Sequence, residues 1–263
     1  MAEGAGEPLY RAEALSFAVD ETPILSPLAL DIHGGSMVGI IGPNGSGKST
    51  LVKLLARQQA PSGGVLTLCG RPVGSYGDRE FARTVAYMPQ FTPPADGMSV
   101  AELVALGRFP WHGALGRFSD DDRAKVAKAL RRTDLTDFSE RLVDSLSGGE
   151  RQRCWLAMML AQDTRFLILD EPTSALDIAH QAEMLELVRA QTRERGVAAI
   201  VVLHDVNMAA RYCDEIVALK RGRVAARGTP AELVTAETLG ALYGLPMGIL
   251  PHPATGQPLG YVV

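Results

Sequence analysis

The segment Gly42-Pro43-Asn44-Gly45-Ser46-Gly47-Lys48-Ser49 constrains this chain more than any other. It fits the pattern GxxxxGK[ST], and its flanks fit as well. Met37 to Ile41 is a short apolar run that stops at glycine, as a buried parallel strand does, and Leu51, Leu54 and Leu55 recur afterwards at helical spacing. Glycines let successive backbone N–H groups curl toward one anion, and a helix N-terminus adds partial positive charge. An ordinary glycine-rich turn has no need of that strand and helix. The expected ligand is ATP: Lys48 reaches the β- and γ-phosphates, and the Ser49 hydroxyl ligates Mg²⁺ with Thr50 beside it.

Phe166-Leu167-Ile168-Leu169-Asp170-Glu171 is the natural companion. Four apolar residues read as a buried strand, and two carboxylates follow at its C-terminal end, where open α/β sheets bind ligands. Asp170 is expected to hold Mg²⁺ through water, and Glu171 to polarise the attacking water as general base. Alone, such a pair reads equally well as a solvated strand end. His204 ends the next apolar strand and is read as a γ-phosphate contact, although a lone histidine is usually a surface or satisfied core residue. Gln90, after Ala86-Tyr87-Met88-Pro89, offers an amide oxygen to Mg²⁺ or to the attacking water.

The chain of 263 residues is 46% hydrophobic and 21% charged, enough to bury a sizeable core and too apolar for disorder. Its net charge of -4 argues against a general nucleic-acid binder. Cys69, Cys154 and Cys213 lie far apart without a CxxC pair, which reads as free thiols rather than a zinc site or disulfide framework. Met1 to Pro8 does not read as a secretory signal, and the longest apolar runs, such as Val197 to Leu203, are too short to span a bilayer. A membrane role would come through a partner.

The first stretch, with Leu15 to Val19 and Ile24 to Leu30, reads as strands and hairpins. Beyond Pro93-Pro94 the pattern turns helical: Ser99 and Glu102 make a capping-box signal, and Asp120 to Arg132 is a charged helix. A helical lobe is placed at about 92–155. Alternating strands and helices then favour a parallel sheet. Ile216 to Leu219 and Val224 to Ala226 flank a hairpin turn, and Thr229-Pro230-Ala231-Glu232 opens a helix. The tail from Leu245, with Pro246, Pro251, Pro253 and Pro258, reads as irregular.

Leu146-Ser147-Gly148-Gly149-Glu150-Arg151-Gln152-Arg153 opens another helix and so offers a second anion-binding N-terminus. Two such elements beside one lysine-bearing loop make sense if two chains meet head to tail. At this point the chain resembles the ATP-binding-cassette ATPases. The phosphate loop, Gln90, LSGGERQR, LILDEP, Ser174-Ala175-Leu176-Asp177 and His204 occur in that family's order and approximate spacing. The resemblance implies an α/β P-loop nucleotide-binding domain over 9–245, with an N-terminal antiparallel β subdomain, a parallel-sheet core and an α-helical subdomain. Residues 246–263 would form a C-terminal extension. It further implies a sandwich dimer in which Ser147 and Gly149 of one copy cap the γ-phosphate held by Lys48 of the other, with Asp177 at the seam.

A narrower resemblance comes from Gly107 to Phe118, Leu203 to Tyr212 and Pro246 to Pro253, which look like bacterial importers of ferric hydroxamate siderophores. It implies a membrane permease fed by a binding protein, and a peripheral place at the cytoplasmic face of the inner membrane. The permease would be received around the helical lobe and Gln90. Phe109, Trp111 and Phe118 also read as lobe core. A haem or cobalamin importer, an exporter, and a soluble cassette acting on nucleic acid or ribosomes are the other readings. The family's adenine-stacking aromatic falls at Val19, while Phe17 lies on the same strand face, so either Phe17 stacks or the base has only an apolar contact.

Overall fold

The computed structural model describes residues 7–113, 116–174 and 176–263. Ala114, Leu115 and Ala175, from the segments singled out above, and residues 1–6 of the N-terminal stretch lie outside the described residues. The chain forms two compact units, Met1–Ser75 with Arg189–Val263, and Tyr76–Val188. In chain order the first opens with β1 (Tyr10–Val19), β2 (Thr22–Ile32), β3 (Met37–Ile41), α1 (Lys48–Leu55), β4 (Gly63–Leu68) and β5 (Arg71–Pro72). The second carries α2 (Asp78–Thr84), β6 (Val85–Met88), α3 (Val100–Leu106), α4 (Phe109–His112), α5 (Asp120–Arg132), α6 (Gly148–Gln162) and β7 (Phe166–Leu169). After α7 (Ile178–Arg195), the chain continues with β8 (Ala198–Val202), α8 (Val206–Tyr212), β9 (Glu215–Lys220), β10 (Arg223–Gly228), α9 (Pro230–Leu233), α10 (Ala236–Tyr243), β11 (Met247–Pro251) and β12 (Pro258–Val262).

In the first unit β1, β2, β4 and β5 make an antiparallel sheet in the order β2-β1-β4-β5. A bulge shapes β1. Ala12 pairs with Leu30 and Leu15 with Leu28, so β1 spends one residue more than β2, and Ala14 takes a φ of 49°. The extra residue switches the buried set from Tyr10 and Ala12 to Leu15. Leu15, Phe17 and Val19 consequently share a face that runs from buried to exposed along the strand. Beside this sheet β3 pairs in parallel with β8 and β9, and β10 closes antiparallel on β9. Every residue of β3 and β8 is buried, as parallel strands require.

In the second unit β6 and β7 pair in parallel, with Met88 opposite Leu169. Ser99 caps α3 through a full capping box with Glu102. Ser119 and Asp122 form another at the start of α5, whose bounds coincide with the charged helix read from sequence. Arg108 is buried: its Nε donates to Asp122 Oδ1 at 2.8 Å and its guanidinium to the Ala161 carbonyl at 2.9 Å. Trp111 lies over that guanidinium at 4.9 Å and donates Nε1–H to the Gln162 carbonyl at 2.8 Å. Phe109 and Trp111 are 50% and 39% exposed, so Arg108, not these aromatics, enters the lobe core.

The tail corrects the irregular reading. β11 and β12 form a hairpin, from Met247 opposite Val262 to Pro251 opposite Pro258. The prolines are compatible because Pro251 and Pro258 form the last pair before the turn and Pro246 precedes β11, where a missing N–H costs the ladder little. Among the described residues no helix is long and apolar enough to cross a membrane.

Candidate nucleotide site

The loop leaves β3 at Gly42, whose φ of 146° favours glycine; a Cβ there would lie 2.1 Å from the Leu219 carbonyl oxygen. Lys48 is the first residue of α1 and only 5% exposed. Its Nζ donates to the carbonyls of Gly42 at 2.9 Å and Pro43 at 3.1 Å. Burying an ammonium is costly unless it is compensated, and a charge-assisted bond to an anion is among the strongest compensations. Gly47 caps α1 without a side-chain bond, and Ser46 Oγ is buried without a partner. A buried cation, an orphaned hydroxyl and a helix N-terminus without a side-chain cap fit a polyphosphate. Ser49 and Thr50 follow in the first turn of α1, both half-buried. Asn44 and Gly45 are exposed at the loop tip.

The loop is braced from two sides. Its Ser46 carbonyl accepts from Gly222 N–H at 3.0 Å, in the β9–β10 turn, and the Gly222 carbonyl accepts from Ser26 N–H at 2.9 Å on β2. Arg221 and Gly222 have φ of 50° and 74°, a two-residue hairpin turn of the kind that suits strand twist. The role of Gly222 was not visible in the sequence, where Lys220-Arg221-Gly222-Arg223 signalled only a turn. Phe17 pairs with Leu25, whose Cδ2 lies 2.6 Å from the position a Cβ on Gly47 would take. On β1, half-buried Phe17 lies opposite Leu25 and exposed Val19 opposite Thr22.

His204 is exposed and follows Leu203, whose N–H donates to the Ile40 carbonyl at 3.0 Å. The parallel register of Ile40 with Val202 brings His204 to the edge from which the phosphate loop departs.

In the second unit, Asp170 and Glu171 are 1% and 7% exposed. Asp170 N–H donates to the Met88 carbonyl at 2.9 Å, fixing the end of β7 to that of β6. This rules out the solvated strand end. Glu171 has a φ of 52°, a conformation that costs a non-glycine residue about 1 kcal/mol or more and persists where surroundings enforce it. Gln90 donates Nε2–H to Glu171 Oε2 at 2.5 Å. Its amide oxygen is then the atom left for a cation or water. Burial first, and the Asp170 charge second, push the Tyr87 hydroxyl up to about 12. Among the described residues no three His, Cys, Asp or Glu cluster as a metal site.

Ser147 is exposed at the N-cap of α6. Its hydroxyl accepts from Glu150 N–H at 3.3 Å, while Glu150 Oε2 accepts from Ser147 N–H at 2.8 Å. Hydrogen bonds to the carboxylate from the Ser147 backbone N–H first, and from the Ser147 hydroxyl second, hold the Glu150 carboxyl below its ordinary range. Gly149 lies against His180: a Cβ there would meet the imidazole at 3.0 Å. Asp177 Oδ1 takes the His180 backbone N–H at 2.9 Å and contacts its Nδ1 at 2.8 Å.

A glycine-rich phosphate loop between parallel strand and helix, and a buried aspartate–glutamate pair ending another strand, define a P-loop nucleoside triphosphatase of cassette type. A family model described as ABC transporter matches residues 25–174. The chain belongs to the ABC transporter family, and it is an ATPase that binds ATP. It is 41% identical over 249 residues to the ferric enterobactin transport ATP-binding protein FepC of Escherichia coli, covering 95% of this chain and 92% of that one. It is 38% identical to the iron(3+)-hydroxamate import ATP-binding protein FhuC of Bacillus subtilis, covering 94% and 92%. It is 41% identical to the hemin import ATP-binding protein HmuV of Streptomyces coelicolor, covering 95% and 89%. Among solved structures, a metal-chelate type ABC transporter in an inward-facing conformation matches with a TM-score of 0.84 at 26% identity, covering 98% and 97%. A dimeric bacterial ABC transporter cassette matches at 0.73 and 26%, covering 84% and 98%.

Proposed function

We propose that this chain drives import of an iron(III) chelate, foremost ferric hydroxamate siderophores, as the peripheral ATPase at the cytoplasmic face of a bacterial inner membrane. Residues 9–245 form the ATPase domain, with a helical lobe at about 92–155, and 246–263 form an extension. In this reading Lys48 and the 42–50 loop hold the phosphates, Ser49, Gln90 and Asp170 hold Mg²⁺, and Glu171 takes the proton of the attacking water. His204 contacts the γ-phosphate, and Phe17 or Val19 faces the adenine. Ser147 and Gly149 serve the nucleotide of a second copy in a head-to-tail sandwich. A membrane permease and a substrate-binding protein complete the transporter; nucleic acid is no partner.

The observation that carries the ATPase part is the buried Lys48, with the orphaned Ser46 hydroxyl in the same loop. The cargo rests on the relatives, whose names include ferric enterobactin, iron(3+)-hydroxamate and achromobactin. Exposed Phe91, Leu106, Phe109 and Trp111 in the second unit support a docking role for the lobe. The test is reconstitution with the permease in liposomes. ATPase stimulation by a binding protein loaded with ferric hydroxamate is expected; stimulation by a haem-loaded one alone would move the cargo to haem. That second reading is favoured by hemin import relatives at 39–41% identity. Stimulation by DNA or ribosomes, with no permease response, would overturn the transport role.

A further inference from the structure

Asn207, the second residue of α8, spends its side chain on the C-terminal hairpin. Its Nδ2 donates to the Gly260 carbonyl at 3.1 Å, and its Oδ1 accepts the Gly260 N–H at 2.8 Å. One amide thus satisfies both edge groups of a β12 residue, as a neighbouring strand would. The approach is close: a Cβ on Gly260 would come within 2.7 Å of Leu239 Cδ1 and 3.6 Å of Val206 Cγ1. On the other side, Asp205 Oδ1 accepts the backbone N–H of Asn207 at 2.7 Å and that of Met208 at 3.3 Å.

His204 therefore hangs on a three-residue span, Leu203 to Asp205, fixed at both ends. Upstream, Leu203 N–H is tied to β3. Downstream, Asp205 caps a helix whose first turn is clamped to the hairpin. Neither the capping nor the β3 tie needs residues 246–263; the hairpin adds a separate hold on the first turn of α8 through Asn207.

We propose that Asn207 and the β11–β12 hairpin are a positioning device for His204. The extension then acts on turnover without touching nucleotide. This rests on the reading of His204 as a γ-phosphate contact. The clamp predicts a specific kinetic pattern, since small misplacement of a catalytic group lowers the chemical step more than ground-state binding.

The test is steady-state ATPase measurement on the full chain assembled with its permease, using Asn207→Ala, His204→Ala and the double variant. Asn207→Ala is expected to lower kcat roughly tenfold or more with KM for ATP unchanged. In the His204→Ala background the same change should cost nothing further, because the clamp acts through that imidazole. Gly260→Ala, which pushes β12 off Leu239, should reproduce the Asn207→Ala pattern, with thermal denaturation confirming that each variant is folded. Additive losses in the double variant, an unchanged kcat in Asn207→Ala, or a loss confined to ATP binding would each overturn the clamp. A silent His204→Ala variant would instead remove the reading of His204 on which the clamp rests.

Discussion

The side-chain amide of Gln90 donates to the carboxylate of Glu171 at 2.5 Å. The two residues follow neighbouring parallel strands, and the Asp170–Met88 backbone bond holds those strand ends together. A glutamine read from sequence as a cation or water ligand is thereby also bonded to the residue proposed here as general base. The bond uses the amide nitrogen and leaves the amide oxygen for the proposed ligand role.

Glu171→Gln should abolish turnover while leaving ATP binding intact, because the amide keeps the shape of the site and loses the base. Single-turnover hydrolysis alongside nucleotide titration checks it, and undiminished hydrolysis would sink the assignment. Gln90→Glu, which sets a second carboxylate against the first, should lower kcat more than it raises KM for ATP.

Lys48→Ala should weaken ATP binding by about 1.5–3 kcal/mol, the range for hydrogen bonds to charged groups, or roughly 10- to 150-fold in Kd. Calorimetric titration measures this directly. Near-normal affinity would show that the buried ammonium does not serve the nucleotide.

Gly42→Ala should cost about 2 kcal/mol or more of folding stability and remove ATP binding, since the new methyl meets the Leu219 carbonyl and the backbone is strained. Gly45→Ala, which has open space around it, should cost only the backbone penalty of about 1 kcal/mol. Denaturant titration of the two variants separates close approach from conformation.

Arg108→Ala should destabilise the protein by about 3 kcal/mol, because it leaves Asp122 buried without its charged partner. Burial would raise the Asp122 carboxyl, but hydrogen bonds from the Ser119 backbone, Arg108 and the Ser119 hydroxyl outweigh it and bring the pKa down to about 2. With the folded value below the ordinary 3.8, this carboxylate stabilises the fold fully above that value and ceases to do so as pH falls toward about 2. Arg108→Ala should therefore flatten the acid limb of a stability–pH curve.

Much of this molecule was legible because its signals are local. The bounds of β3, α5 and β7 follow from apolar runs and caps, and the Thr229-Pro230-Ala231-Glu232 signal opens α9 as its chemistry demands. What escaped depends on tertiary geometry. The β11–β12 hairpin hid behind prolines that only pairing shows to be harmless. The bulge at Ala14 reverses strand parity without any glycine or proline to announce it. Arg108 gave no sign of burial, since its partners Asp122 and Ala161 lie far along the chain. In the site, the phosphate loop and the Asp170–Glu171 pair were readable as motifs, whereas the bond from Gln90 to Glu171 and the brace from Gly222 join residues too far apart for any motif to span.

The Arg221-Gly222 turn carries a practical consequence. Two-residue hairpin turns are favoured places to splice in an affinity tag, a fluorophore peptide or a permuted terminus. Here Arg221 is exposed, yet Gly222 is buried and bonded on one side to Ser46 and on the other to Ser26. An insertion at this turn would be read out as lost nucleotide binding, and a reporter placed there would disable the transporter it was meant to follow.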